Sequence, residues 1–178
     1  MSIGEARALR YEPTLRFRML VDTDEAAICA LAQRIFYAYG DHYDEILRTL
    51  FSQGLATGFL AEWCGQLAGF AVITEFDHLA PGGGNVQDLT VLAVLPGMEG
   101  RGIGSALLAL VIDEARGDPH VSELRLTVAE GNERARRLFT RAGFHVWIRD
   151  HGTYAYGQKA LKLRLPLQLP RLERSALH

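Results

Sequence analysis

The residues best suited to chemistry lie in one glycine-rich turn, Gly100-Arg101-Gly102-Ile103-Gly104. The mainly apolar run at residues 89–95 precedes this turn and is typical of a strand that is buried on both faces. Pro96 and Gly97 end that strand, because proline has no N–H to donate to a ladder. Behind the turn, apolar residues recur at the spacing of an amphipathic helix, at Ile103, Ala106, Leu107, Leu110 and Val111.

This strand–turn–helix arrangement is suited to binding an anion. The first turn of a helix has N–H groups without intrahelical partners and carries the positive end of the helix dipole. Glycines let a phosphate approach the backbone with no Cβ in the way. The glycines alone support equally well a sharp turn that merely needs positive φ. A P-loop fits poorly because no lysine follows Gly104, and the glycines begin too late after Leu95 for a dinucleotide fingerprint.

The turn and the strand before it match a family pattern. Leu92-Ala93-Val94-Leu95-Pro96, followed by Glu99-Gly100-Arg101-Gly102-Ile103-Gly104, resembles the acetyl-CoA motif of the GNAT superfamily of N-acetyltransferases. That motif reads Gln/Arg-x-x-Gly-x-Gly/Ala after a Leu-x-Val-x-Pro strand. Glu99 departs from the motif, and a carboxylate close to a pyrophosphate is unfavourable on charge grounds. Backbone N–H groups can bind phosphate whatever this side chain is.

A second segment follows in the family's usual order and separation. Residues 132–144 read NERARRLFTRAGF and resemble the signature Asn-x-x-Ala-x-x-Leu-Tyr-x-x-x-Gly-Phe. The resemblance extends more loosely over roughly residues 14–165, so we predict a single domain over residues 1–178 with this range as its core. The positions that match the second signature are Asn132, Ala135, Leu138, Gly143 and Phe144.

The order of elements predicts an α/β layer sandwich, and the resemblance adds that its sheet is mixed (α+β). The resemblance implies the GNAT fold, a twisted mixed sheet of six or seven strands flanked by about four helices. It also implies that the central strand and the strand at 123–129 part, and that the pantetheine arm lies in the gap. The pattern itself predicts a first strand at 15–19, a hairpin of strands at 58–63 and 67–76, and a last strand at 158–165.

Two helices are predicted between the first strand and the hairpin. Asp22, Thr23 or Asp24 can cap the first helix, and Gly40 ends it. The second begins at Asp41, and its apolar residues Ile46, Leu47 and Leu50 are expected to face inward. By resemblance, residues 37–43 and the flexible connection at 78–85 would be neighbours of the acceptor site, although exposed turns are the more common fate of such segments.

The resemblance implies acetyl-CoA (coenzyme A) as co-substrate and no metal. The loop at 99–105 would bind the pyrophosphate, and the backbone around Leu92 to Val94 would pair with the pantetheine like an added strand. A backbone N–H near Val94 would polarise the thioester carbonyl. Arg134, Arg137 and Arg141 could meet phosphates or form a solvated basic face. The residues implied for the cofactor are Leu92, Ala93, Val94, Glu99, Gly100, Arg101, Gly102, Ile103, Gly104, Ser105, Asn132, Leu138, Phe139 and Arg141.

Asp88 is the predicted catalytic base. Alkylammonium groups titrate at about 10, so a base is useful at neutral pH. Family members with a carboxylate base carry it six residues before the Val of Leu-x-Val, which is Asp88 here, and its short side chain suggests action through a water. Alternation along the strand predicts one face for Asp88, Thr90, Leu92 and Val94. A solvated strand-entry carboxylate is the alternative interpretation, and His78 is a weaker candidate base.

Phe139 stands where the family has its usual acid, the Tyr of Leu-Tyr. Phenylalanine has no proton to give, yet a thiol titrates at about 8.5, so a thiolate leaves tolerably well unaided. Loss of the acid should therefore slow transfer without abolishing it, and Phe139 is expected to pack against the cofactor arm. Tyr154 and Tyr156 lie too far along the chain to replace it in the family geometry, which leaves another route for the proton open.

Composition is that of a soluble globular chain. Of the 178 residues, 48% are hydrophobic and 22% charged, and the net charge of −2 gives no footprint for nucleic acid or an anionic membrane. No apolar run approaches the length of a membrane span, and no signal-peptide pattern is present. Cys29 and Cys64 are isolated and read as packing residues, so the chain is expected to be cytoplasmic.

Together these features predict an acetyl-CoA-dependent N-acetyltransferase. The acetyl group would pass to a primary amine of a small molecule or peptide by direct attack of the amine on the thioester. Dimers are frequent in the family that the chain resembles, so the resemblance is compatible with a homodimer. The alternative is a non-catalytic, regulatory acyl-CoA-binding domain, which Phe139 and Glu99 favour and Asp88 disfavours. A phosphate-binding turn in an unrelated α/β protein is disfavoured by the second signature.

Overall fold

A computed structural model of the chain describes residues 14–40, 42–76, 80 and 84–167. The predicted connection at 78–85 lies mostly outside the described residues, as do His78 and both tails. Four α-helices and seven strands are described, together with short 3₁₀ turns at Asp22–Asp24 and Tyr37–Tyr39. In chain order the elements are β1 (Leu15–Met19), α1 (Glu25–Phe36), α2 (Tyr43–Ser52), β2 (Thr57–Trp63), β3 (Gln66–Phe76), β4 (Asn85–Val94), α3 (Ile103–Gly117), β5 (Val121–Ala129), α4 (Glu133–Arg141), β6 (His145–Ile148) and β7 (Ala160–Pro166).

The strands form one mixed sheet in the order β1-β2-β3-β4-β5-β7-β6. β4 and β5 are parallel and are joined by α3, whereas the other described pairs are antiparallel. A parallel pair needs a long crossover, and α3 is that crossover. The predicted mixed α/β fold, with six or seven strands and about four helices, is confirmed.

Two hydrophobic cores lie on opposite faces of this sheet. On one face, α3 and α4 pack against the inward residues of the sheet from β2 to β7, with Ile103, Leu107 and Phe139 among the buried side chains. On the other face, Ile28 of α1 and Leu47 of α2 pack against β2, β3 and β4. That second core contains no described residue of β5, β6 or β7. On that face, the β5-β7-β6 half of the sheet carries charged side chains, among them Arg125 and Lys162, together with the Trp147 ring.

A bulge at Thr90 changes the faces of β4. Val91 pairs with Val72 of β3 and Leu89 with Ile73, so Thr90 is an extra residue on β4. Leu89 consequently packs in the core beside α3, whereas Val91 packs in the core beside α1. The prediction that Asp88, Thr90, Leu92 and Val94 share one face is wrong. Leu92 and Val94 pack towards α3, whereas Asp88 and Thr90 lie opposite and beside Thr74 on the α1 face.

Two helix predictions also change. In α2 the buried residues are Leu47 and Phe51, one turn apart, and Ile46 is exposed rather than inward because it lies about 100° further round the helix. At the start of α1, Asp24 holds the N-cap position without capping the helix through its side chain. Its carboxylate instead accepts hydrogen bonds from Arg18 and from the Val21 N–H, and these partners, Arg18 foremost, hold the pKa of Asp24 below its usual range.

Candidate active site

A cleft opens where β4 and β5 part. The two strands pair from Asn85 to Asp88 of β4, but β4 runs on to Val94 and β5 to Ala129. The parting that the resemblance implied is therefore present in the structure. The cleft is lined by residues 89–92 of β4, residues 126–129 of β5, and side chains from both layers of helices and the β6–β7 loop: Phe36, Tyr39, Tyr43, Asn132, Ala135, Phe139 and Tyr154.

The exposed edge of β4 directs backbone groups into this cleft. The Leu95 N–H donates to the Ala68 carbonyl on the β3 side at 2.8 Å. Backbone groups of successive strand residues point to alternate edges, so the Val94 N–H and C=O point away from β3, towards the cleft. Leu92, two residues earlier on the same side of the bulge, points the same way. An extended chain with amide groups, such as a pantetheine arm, fits this edge as an added strand.

The glycine-rich turn lies at one end of the cleft. Gly100 and Gly102 have φ of +77° and +80°, so the turn does need the left-handed conformation that glycine favours. Gly102 is the N-cap of α3 and no side chain caps this helix. A Cβ at Gly104 would lie 3.5 Å from Val94 and 3.7 Å from Leu138. The first turn of α3 therefore sits between the end of β4 and α4, with the backbone donors that a pyrophosphate requires.

The remaining residues of the predicted phosphate loop differ in their surroundings. Ile103 is buried in the core, so only its backbone can face a ligand. The Arg101 guanidinium stacks over the ring of Trp63 at 5.2 Å. The Glu99 carboxylate accepts the Gly97 N–H at 2.6 Å. The N–H groups of Glu99 and Gly97 hold the pKa of this carboxyl below its usual range.

A groove between α3 and α4 continues from the turn. Ser105, Leu138 and Arg141 line it, and its volume is about 300 Å³. Arg141 is exposed there, while Arg137 on the same helix pairs with Glu133 at 3.1 Å. Leu138 and Arg141, which the resemblance assigns to the cofactor, thus lie in the groove next to the turn. Phe139, assigned in the same way, lines the cleft. Leu138 also contacts the position that a Cβ at Gly104 would take.

Asp88 lies at the point where the strands part, on the polar face of the sheet. Its carboxylate accepts a hydrogen bond from Lys162 Nζ of β7 at 2.6 Å, across β5, and both side chains are only 17% exposed. Beside them on β5, Arg125 pairs with the buried Glu123 at 2.6 Å and stacks on Trp147. Lys162 is not evident from the sequence as a partner of Asp88, because 74 residues separate the two.

Tyr39 contacts the N-terminus of α4, and it belongs to the stretch 37–43 that the resemblance placed beside the acceptor site. Asn132 caps α4 by accepting the Ala135 N–H, and its Nδ2 donates to the Tyr39 hydroxyl at 3.1 Å. The Tyr39 ring packs against Tyr154 at 5.1 Å between centroids. Although Tyr154 is far along the chain, it lines the same cleft as Phe139, because the β6–β7 loop folds back over the α1–α2 connection. Tyr156 is 64% exposed, and its ring does not line the cleft.

A sheet parted beside a glycine-rich helix start is an architecture for holding an extended, phosphate-bearing ligand. The chain belongs to the acetyltransferase (GNAT) family, whose model matches residues 25–144. It is 39% identical over 97 residues to a mycothiol acetyltransferase of Frankia alni, a match that covers 52% of this chain and 29% of the relative. A mycothiol acetyltransferase of Salinispora tropica is 36% identical over 104 residues, covering 57% and 33%. The chain thus spans about a third of the length of these relatives.

Solved structures share the fold at lower identity. Arabidopsis thaliana NAA60 in complex with acetyl-CoA superposes with a TM-score of 0.74 at 21% identity, covering 86% of this chain and all of that one. The ribosomal-protein-S18-alanine N-acetyltransferase of Escherichia coli gives a TM-score of 0.65 at 20% identity, covering 93% and 100%. Among the described helices of our chain, none is long and apolar enough to cross a membrane.

Proposed function

We propose that this domain is an acetyl-CoA-dependent N-acetyltransferase that acts on a primary amine of a small molecule or peptide. The observation that carries the proposal is the parting of β4 and β5 directly beside the uncapped glycine turn of α3. A thioester arm lying along β4 would have its phosphates at that turn and its acyl end towards Asp88. Family membership supports the same reaction.

In this mechanism, acetyl-CoA supplies an acetyl group activated as a thioester. The backbone N–H groups at the start of α3 bind the pyrophosphate, and Ser105 and Arg141 flank the groove beyond it. The Val94 N–H, directed into the cleft, donates a hydrogen bond to the carbonyl oxygen and stabilises negative charge as the amine attacks. Leu138 and Phe139 pack against the arm and exclude water from it.

Asp88 is the proposed proton acceptor for the attacking amine. It stands at the mouth of the cleft on the face opposite to Leu92 and Val94, so the amine would approach from the α1 side of the sheet. Lys162 holds the carboxylate in place through the 2.6 Å contact, and proton transfer through a water suits the short Asp side chain. Asp88 and the glycine-rich turn that binds the co-substrate would then lie on opposite faces of the sheet.

The acceptor class follows from the walls of the cleft on that side. Tyr39, Tyr43 and Tyr154 line it with aromatic rings that can pack against an acceptor chain. Similar proteins are named for mycothiol in one case and for an alanine of a ribosomal protein in another. Small-molecule and peptide amines therefore both belong in the acceptor panel.

Calorimetric titration with acetyl-CoA tests the proposal. We expect micromolar binding by the wild type and its loss in Gly104→Asp, which places a carboxylate in the phosphate turn where a Cβ makes only ordinary contacts. Gly117→Asp adds the same charge at the other end of α3, where a Cβ meets nothing within 4 Å, and should bind like the wild type. Absence of binding to the folded wild type would refute the proposal.

A non-catalytic acyl-CoA-binding domain is the second candidate, and one observation favours it. Phe139, buried where the family has its acid, places no hydroxyl in the cleft. Thiol release from acetyl-CoA in the presence of an amine panel separates the two candidates. An enzyme releases thiol only with an acceptor amine, whereas a regulatory domain binds acetyl-CoA and releases none.

Two further parts of the proposal concern the protein in the cell. We propose a cytoplasmic location, which the free thiols of Cys29 and Cys64 support. Cys29 is fully buried, and burial raises the pKa of its thiol, as suits a packing residue. We also propose a homodimer, for the sole reason that dimers are frequent in the family. Size-exclusion chromatography with light scattering would test it.

A further inference from the structure

In the α1–α2 connection, the hydroxyl of Tyr39 is hydrogen-bonded to Asn132, the N-cap residue of α4. Its ring lines the cleft together with Phe139, and its oxygen accepts a hydrogen bond from Asn132 Nδ2 at 3.1 Å. The cleft into which Phe139 brings no hydroxyl therefore receives one from a segment 100 residues earlier in the chain.

The direction of this hydrogen bond is fixed by the helix cap. Asn132 Oδ1 accepts the Ala135 N–H at 3.1 Å, so the amide nitrogen must be the end that faces Tyr39. An amide nitrogen only donates, so the Tyr39 oxygen is the acceptor in this pair. The hydroxyl proton of Tyr39 is not used in the bond to Asn132 and can be directed into the cleft.

Hydrogen bonds and ring contacts fix the position of the turn that carries Tyr39. The Tyr156 N–H donates to the Tyr39 carbonyl at 3.3 Å, and Gln158 Nε2 donates to the neighbouring Ala38 carbonyl at 2.7 Å. The Tyr39 ring also packs against the rings of Tyr154 and Phe36. Two hydrogen bonds and two ring contacts thus fix the turn that carries the hydroxyl.

We infer that Tyr39 is the acid that protonates the leaving thiolate, in place of the hydroxyl that Phe139 lacks. This inference rests on the proposed acetyl transfer. As the carbon–sulfur bond breaks, its electron pair goes to the coenzyme A sulfur and the Tyr39 hydroxyl donates its proton there. The new carbon–nitrogen bond is formed by the amine, which loses its proton towards Asp88. Tyr39 then regains a proton from solvent, so neither an oxidant nor a further reactant is needed.

Tyr39→Phe tests the assignment, with Tyr37→Phe as its matched control. Tyr37 belongs to the same turn but is 74% exposed and does not line the cleft. We expect Tyr39→Phe to lower kcat about 100-fold with little change in the KM of the amine, since acid–base groups typically contribute at least this much. Tyr37→Phe should match the wild type. Adding Phe139→Tyr to Tyr39→Phe should restore most of the lost rate.

Binding without turnover supplies the second readout. If the Tyr39 hydroxyl meets the sulfur, Tyr39→Phe should weaken coenzyme A binding about fivefold in calorimetry, the usual effect of one hydrogen bond. Its affinity for desulfo-coenzyme A, which lacks the sulfur, should be unchanged. A merely structural role for Tyr39 would weaken both ligands equally.

Three results would overturn the inference. The first is an unchanged kcat in Tyr39→Phe, and the second is equal weakening of both coenzyme A ligands. The third is a double variant that stays as slow as Tyr39→Phe while Phe139→Tyr alone remains folded and active. If the wild type bound no acetyl-CoA, the proposed function itself would fail first, which distinguishes the two failures.

Discussion

The two sides of the cleft are built in different ways. On the α3 side, the groups that can hold a ligand are main-chain groups presented by consecutive residues of β4, a glycine turn and one helix start. On the α1 side, they are side chains from three separate parts of the chain: Tyr39, Asp88, and the pair Tyr154 and Lys162 in and before β7. The α3 side thus depends on backbone conformation, and the α1 side on how the elements pack together.

This difference predicts opposite responses to substitution. Changes on the α3 side should alter acetyl-CoA affinity, whereas changes on the α1 side should mainly alter turnover or acceptor affinity. The exception on the α1 side is Tyr39→Phe, for which the bond to the sulfur predicts an about fivefold loss of coenzyme A affinity. Each of the three variants below changes one side of the cleft. If an α3-side variant altered only turnover, or an α1-side variant altered mainly acetyl-CoA affinity, the proposed difference between the two sides would be wrong.

The largest effect on turnover is expected for Asp88→Asn. Loss of the proton acceptor should lower kcat about 100-fold, a typical contribution of a general base, without changing acetyl-CoA affinity. Steady-state kinetics beside calorimetry measure both quantities. Asp150→Asn, at an exposed carboxylate that no described contact joins to the cleft, is the control. Unchanged turnover in folded Asp88→Asn would leave Asp88 as the structural partner of Lys162 only.

An intermediate effect is expected for Gly40→Ala, compared with Gly54→Ala. Both glycines have positive φ, +69° and +67°, and each alanine should cost about 1 kcal/mol of unfolding free energy for that reason. At Gly40 a Cβ would also lie 2.7 Å from the Tyr156 ring, whereas at Gly54 it meets nothing within 4 Å. Gly40→Ala alone should therefore raise the KM of the amine several-fold, by displacing the loop over Tyr39.

Equal acceptor KM values in the two alanine variants would contradict this account of the loop. Denaturant unfolding of both variants separates the backbone cost, which they share, from the displacement of Tyr156, which they do not.

The smallest effect is expected for Glu99→Gln. The Gln side chain can keep the contact to the Gly97 N–H through its oxygen while removing a negative charge beside the phosphate turn. Because this carboxylate is exposed, screening limits the gain to about two- to threefold in acetyl-CoA affinity, and the gain should shrink as salt is added. Calorimetry at low and high ionic strength measures it. A weaker affinity in Glu99→Gln would show that the charge supports the loop.

The same contrast explains what the sequence could predict. The secondary structure on the α3 side was predicted almost completely, because the strand β4, the glycine turn and the Asn132 cap of α4 are local signals at fixed spacing. The faces of β4 were not, because the bulge at Thr90 depends on pairing with β3 and leaves no mark in the local pattern. Lys162 and the position of Tyr154 were missed for a related reason, because long-range packing alone brings them to the cleft. Tyr39 falls in the stretch 37–43 that the resemblance placed beside the acceptor site, but its contact with Asn132 was not predicted.

The central claim is that the exposed edge of β4 binds the thioester arm, and amide hydrogen exchange at two neighbouring residues tests it most directly. The Leu95 N–H is already bonded to Ala68, whereas the Val94 N–H points into the cleft. We predict that acetyl-CoA slows exchange at Val94 strongly while changing Leu95 little. Equal protection of the two, or none at Val94 under saturating acetyl-CoA, would contradict the account.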